Sequence, residues 1–415
     1  MRASPTLCHV VAILLLLTAP PSYAEGSASD RPAAEELDGP IREDSRPMIA
    51  LLAPVSGDDA LFGRRVQRAV QFVFDADSAY AVEVFDVADD AASAYNDAVG
   101  AGAVAILGPI FEWRAREVIE ASSPESPPIV LLTSVSGIEA AGPHVFRGRT
   151  SAADQSEALA GIALTNDGWE SFAVFAPDDG YGRESAEAFI RAASQWGGVV
   201  DRVVLYEAGE PNVAREMDEL VGLRRQTLSV PSNPWRTPPS TSLRSSAGNS
   251  SRPGALFIPD FSDQVVSILP FLAFHGWRGQ PGREVGLLGL SGWAGPDLEF
   301  VGDLASDAWI TQVFAEEDFR APIEALLLEW GVRFEETPGE FDAQVVDVSA
   351  ALMSALDQAE YLVPDITTRV LRATRWQGAC GDLWFSESGG ILRTLTLWQV
   401  DGAGRLYPIG EISRD

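Results

Sequence analysis

From Met48 onward the chain alternates short, continuous apolar runs with longer stretches of helical periodicity, and this texture limits the fold more than any motif does. Runs that do not alternate with polar residues suit strands buried on both faces, and a helix between successive runs supplies the crossover that parallel neighbours require. The strand-like runs are residues 48–52, 81–85, 103–107, 129–132, 172–175, 199–205, 255–258 and 285–288. Helical stretches separate or follow them at 63–76, 91–99, 115–121, 154–165, 183–196, 213–224, 262–274, 322–334, 342–359 and 366–373. The texture occurs twice, once before Phe146 and once after Thr150, which predicts two α/β lobes with doubly wound parallel sheets. The end of the chain differs: residues 383–385, 391–400 and 406–409 are apolar runs joined by Gly-containing turns, the pattern of antiparallel strands.

The first residues address the compartment. Arg2 begins a segment with an apolar run at 10–18, and Ser22-Tyr23-Ala24 offers small residues for a cut before Glu25, so residues 1–24 read as a cleavable signal peptide. Pro20 and Pro21 end the run well short of the roughly 20 apolar residues of a membrane span, so no membrane insertion is expected. Cys8 precedes the run, where it cannot become a lipid-bearing N-terminus. Residues 25–46 are acidic and poor in large apolar side chains, hence a disordered tether. Beyond the signal the only thiol is Cys380, so an oxidising compartment is combined with no internal disulfide. Residues 229–253 are crowded with Pro, Ser, Thr and Asn and read as a flexible loop.

Acidic residues number 60 against 30 basic ones, giving a net charge of −30, and every basic residue is Arg. That balance excludes nucleic acid as a partner. Enzyme chemistry finds little to work with. His144 and His275 are the only histidines past the signal and lack clustered metal-ligating neighbours. Gly289-Leu290-Ser291-Gly292-Trp293 lacks the final glycine of a nucleophile elbow. The glycines of Gly100-Ala101-Gly102 precede a strand instead of following one, which is the wrong order for dinucleotide binding. No enzyme, cofactor or metal is expected.

Open α/β sheets bind ligands in loops at the C-terminal ends of their strands. Here those loops carry Ser56 and Gly57, then Glu112 between Phe111 and Trp113, then Thr133, Ser134 and Ser136. In the second series they carry Tyr181, Asp260 beside Phe261, and Ser291 with Trp293. These residues form the candidate ligand-binding set for a small molecule.

The same loops resemble the leucine-binding class of type I periplasmic binding proteins. The likeness rests on Ile49-Ala50-Leu51-Leu52-Ala53-Pro54-Val55-Ser56-Gly57, on Gly108-Pro109, and on Ala176-Pro177-Asp178-Asp179-Gly180-Tyr181-Gly182. Phe341-Asp342-Ala343 and the late Gly378, Gly381, Leu383, Phe385 and Gly389 extend it. The resemblance implies a domain over 47–413 whose two lobes are joined by three hinge crossings, near 147–150, 290–295 and 383–388. Lobe 1 would hold about 47–147 and 292–384, and lobe 2 about 150–290 and 385–413. It implies a periplasmic solute-binding protein of ABC-transporter type that closes on an amino-acid-like, amide or peptide ligand and meets a membrane permease. Two positions depart from the amino-acid binders: Ser291 stands where an acid is expected and Glu112 near a hydroxyl position. A ligand carboxylate beside Glu112 is repelled and an ammonium at Ser291 lacks its counter-charge, which argues against free leucine-like amino acids. Residues 255–260, 269–276 and 287–293 are also similar to modules of penicillin-binding protein activators. That likeness implies the alternative role of an envelope regulator acting by contact with a peptidoglycan synthase.

Overall fold

The computed structural model describes residues 45–75, 78–166, 169–210, 212–222, 252–278, 285–315, 321–359 and 362–413. The expected signal peptide, nearly all of the tether and nearly all of the 229–253 loop lie outside the described residues.

A first sheet has the order β2-β1-β3-β4-β5, built from β1 (Met48–Ala53), β2 (Ala81–Asp86), β3 (Ala103–Leu107), β4 (Ile129–Leu131) and β5 (Val145–Arg147), all parallel. Both faces are covered, and β1 shows why its sequence is continuous. Ile49, Leu51 and Ala53 join the core shared with α1 (Ala60–Val73), whereas Met48, Ala50 and Leu52 join the opposite core with α2 (Ala91–Gly100) and α3 (Glu112–Ala121). Every residue of β1 is buried, so no position tolerates a polar side chain.

The second sheet has the order β15-β14-β10-β9-β8-β6-β7. Its parallel part is β6 (Ser171–Pro177), β7 (Val199–Tyr206), β8 (Ala255–Phe257), β9 (Gly286–Gly289) and β10 (Trp309–Gln312). The helices α4 (Ala152–Asn166) and α5 (Gly180–Gln195) pack together beside this sheet, and α6 (Ala214–Leu220) and α7 (Ser262–Phe274) contribute to the core on its other side. The short α8 (Gly302–Ala305) follows, and then α9 (Ala321–Phe334), α10 (Glu340–Gln358) and α11 (Pro364–Ala373) return the chain to the first lobe, where α10 lies against α1. A small antiparallel sheet of β11 (Arg375–Gly378), β12 (Gly381–Phe385) and β13 (Ile391–Arg393) precedes β14 (Leu395–Val400) and β15 (Leu406–Ile412).

This pairing moves two of the expected lobe boundaries. Residues 292–312 stay with the second lobe, because β10 pairs Trp309 with Leu288 of β9 and with Gln399 of β14. The third crossing falls at Thr394, not at 383–388. The apolar run 391–400 divides there, β13 pairing Arg393 with Leu383 of β12 while β14 enters the second sheet. The first crossing lies between β5 and α4. It is tied to the β12–β13 turn by the Arg147 amide, which donates to the Gly389 carbonyl at 2.9 Å.

Two glycines hold the first-lobe loops close to their strands. A Cβ on Gly63 in α1 would lie 1.8 Å from the Pro54 carbonyl oxygen, so this helix can seat on the β1 loop only with glycine there. Gly108 has φ +90°, and a Cβ would meet the Leu52 oxygen at 2.3 Å.

Candidate functional site

The ends of these strands enclose a cavity of about 670 Å³ between the lobes, within the range typical of small-molecule sites. Its first-lobe wall takes Glu112 from the start of α3, Ser134 and Val135 from the loop after β4, and Glu340 from the start of α10. The second-lobe wall takes Gly180, Tyr181 and Glu184 from the first turns of α5, together with Phe261, Ser291 and Gly292. Arg149, Thr150, Ala152 and Gln155 line it from the first crossing and the start of α4.

Polar contacts join the walls. The Ser136 hydroxyl donates to the Glu184 carboxylate across the mouth. On the floor, the Gln344 amide group donates to Glu340 Oε1 at 2.9 Å while its Oε1 accepts the Thr150 amide at 2.8 Å. Gln155 Oε1 accepts from the Ser291 amide at 3.1 Å and from the Thr311 hydroxyl at 3.2 Å. Tyr181 stacks on Phe261 with ring centroids 5.2 Å apart, and 52% of Phe261 remains exposed.

Charge in this space is costly, and the site shows it. Burial pushes the Glu340 carboxyl above its usual range, opposed by the Arg149 charge, by the Ser291 hydroxyl, and by Arg393 and Gln344. Burial likewise lowers Arg149, against the pull of Glu340. The Arg149 guanidinium lies 4.7 Å from the centroid of the Phe341 ring, and its buried Nε has no hydrogen-bond partner among the described residues. A donor so placed suits a ligand acceptor.

Behind the floor lies a second, fully buried set. Asp347 of α10 accepts the Ala379 amide at 2.7 Å, the Cys380 amide at 2.9 Å and Arg393 Nη1 at 2.5 Å. It therefore fastens α10 to the β11–β12 turn and to β13, the last strand before the third crossing. Arg147 at the end of β5 pairs with Asp154 at 2.8 Å and with Glu139 at 3.5 Å.

A family model described as periplasmic binding protein matches residues 48–405. The chain belongs to that family. Among solved structures, this periplasmic binding protein is similar to an ABC transporter substrate-binding protein from Sphaerobacter thermophilus, with TM-score 0.66 and 16% identity over 89% of this chain and 98% of that one. It is also similar to the leucine binding protein LivK from Thermotoga maritima, with TM-score 0.59 and 17% identity over 89% of this chain and 99% of that one. A stretch of 158 residues is 28% identical to the penicillin-binding protein activator LpoA of Glaesserella parasuis serovar 5 (strain SH0165), covering 37% of this chain and 26% of that relative. The chain thus spans about a quarter of the length of that curated relative.

The structure distributes the candidate residues of this periplasmic binding protein unevenly. Glu112, Ser134, Tyr181 and Ser291 line the cavity together, and Ser136 stands at its mouth through Glu184. Thr133 is buried and accepts from the Val135 amide at 3.2 Å, which shapes the loop. Ser56 and Gly57 are exposed outside the lining, with the Ser56 hydroxyl bonded to Asp86. Asp260 lies beneath the wall, accepting from the Tyr206 hydroxyl and, at 2.8 Å, from the Phe261 amide. Trp293 is wholly buried in the second-lobe core. It lies against Gly289, where a Cβ would meet its ring at 2.6 Å, and donates to the Ile258 carbonyl at 2.8 Å. Sequence reading did not single out Arg149, Gln155, Glu184 and Glu340. The signal for Glu340 was its place at a helix start beside Phe341-Asp342-Ala343, and Arg149 lay inside the expected first crossing.

Proposed function

We propose that this protein is an exported, ABC-transporter-type solute-binding protein whose lobes close on a small amino-acid-like, amide or peptide ligand, and that a membrane permease receives the loaded form. The observation that carries the reading is the open, polar-lined cavity of about 670 Å³ with walls from both lobes. Closure follows from differential contact, since a ligand touching both walls favours the state in which they face each other. The acid expected at Ser291 has a neighbour that compensates for it, because Glu340 reaches the same spot from the first lobe. The alternative of an envelope regulator draws on the stretch similar to LpoA. A cleft used only as a scaffold would be filled by aromatic side chains, whereas Trp293 packs elsewhere.

The test is a thermal-shift screen of the purified protein with amino acids, short peptides and amides. A ligand at a hundred times its Kd stabilises the folded state by about 2.7 kcal/mol, so at least one class should raise the melting temperature by several degrees. A flat response across the whole screen would overturn the reading.

A further inference from the structure

The protein does not balance the charge of its own cleft. Among the described residues, Glu112, Glu184 and Glu340 line it against a single guanidinium, that of Arg149. Glu112 is answered by Arg116 one turn along α3, at 2.6 Å, and Glu340 feels the Arg149 charge. Glu184 meets the uncharged Ser136 hydroxyl. One carboxylate is therefore in excess, on the wall opposite Ser134.

The field at that wall agrees. Burial first, and then the charges of Asp260, Glu340, Asp179 and Glu184, push the Tyr181 phenol up. The exposed Phe261 ring stacked on Tyr181 adds an aromatic face, which attracts cations in a partly desolvated site. Low-dielectric walls of one sign concentrate ions of the other, and the whole chain, at −30, steers in the same sense.

We infer that the cleft ligand is a small organic cation, carrying one more positive charge than negative. Its ammonium or guanidinium group faces Glu184 beside the Tyr181–Phe261 pair, and any single carboxylate it carries is held by Arg149. This rests on the solute-binding reading and deepens it by fixing the charge class. A ligand cation between Glu184 of α5 and the first-lobe loop that carries Ser134 and Ser136 would tighten the contact that already bridges the mouth.

Titration calorimetry on the signal-free chain tests this with L-arginine, L-lysine and L-ornithine as cationic probes and L-leucine, L-glutamate and benzoate as neutral or anionic ones. The expected result is saturable one-to-one binding of at least one cationic probe and of no other. Glu184→Gln should weaken that binding about tenfold or more, while Glu324→Gln, which removes the same charge from the exposed face of α9, leaves it unchanged. Melting curves of both variants check that they fold. Binding of leucine, glutamate or benzoate with silence from the cations overturns the charge assignment and leaves the solute-binding reading standing. Cation binding that Glu184→Gln and Glu324→Gln weaken equally also overturns it, since that describes surface attraction. Silence from every probe in protein that melts cooperatively counts against the solute-binding reading itself, and the charge assignment falls with it.

Discussion

Replacing Asp347 by Asn removes one charge from the buried set behind the cleft floor and keeps the side-chain volume. Asp347 and Arg393 are each almost inaccessible, at 4% and 1% exposed, and Arg393 Nε and Nη2 have no hydrogen-bond partner among the described residues. Asn would present an amide NH2 to a guanidinium that has nowhere to go. Stranding one member of a buried pair costs about 3–5 kcal/mol, a large share of the roughly 5–15 kcal/mol that holds a typical domain. In an Arg393→Met background the buried Asp347 carboxylate is the stranded member, so Asp347→Asn there relieves an unpaired charge while losing the acceptor for the Cys380 amide, worth about 1–2 kcal/mol. Urea unfolding of the four proteins of this cycle should give a coupling of at least about 2 kcal/mol. Equal costs of Asp347→Asn in the two backgrounds would refute the argument that charge, and not shape, makes Asp347 indispensable.

Other outcomes follow from the same geometry. Gly63→Ala forces a methyl into the Pro54 carbonyl at 1.8 Å, and differential scanning calorimetry should show a loss of about 1–3 kcal/mol or more as α1 lifts from the loop bearing Ser56. Glu340 is raised by burial, so its contribution is fully present below the ordinary carboxylate value and is lost as pH rises through the folded-state value. Glu340→Gln should therefore flatten the fall in melting temperature with pH over that window, with Arg149, Ser291, Gln344 and Arg393 left in place around it. Burial first, and then the Asp347 charge, push the Cys380 thiol well up. Reaction with a thiol reagent at neutral pH should run at the rate of unfolding and no faster.

The first sheet could be read from sequence because its strands are buried on both faces, which leaves continuous apolar runs such as 48–52 and 103–107. β10 could not. Trp309-Ile310-Thr311-Gln312 carries two polar residues, yet Thr311 and Gln312 are buried, and the Thr311 hydroxyl donates to Gln155 of the adjacent α4. Polar residues with such partners break the apolar signal of a strand. The end of β13 was hidden for the opposite reason: Arg393-Thr394-Leu395 continues an apolar-looking run although the sheet changes there. In the site, short loops after strands pointed to Ser134, Tyr181 and Ser291, because strand ends are set by local pattern. Arg149, Glu184 and Glu340 reach the cavity by tertiary placement, from a crossing and from two helix starts far apart in sequence. Trp293 had the right position in the chain, but the bare surface of Gly289 draws its ring into the core.

The proposed function requires that the two lobes hold a small molecule between them. Native mass spectrometry of the protein taken gently from its own host asks this directly. The expected result is a population carrying the added mass of one small molecule, released on unfolding and absent from a Ser134→Trp variant whose bulky side chain obstructs the cavity. A bare mass in the parent protein, unchanged by the variant, would contradict it.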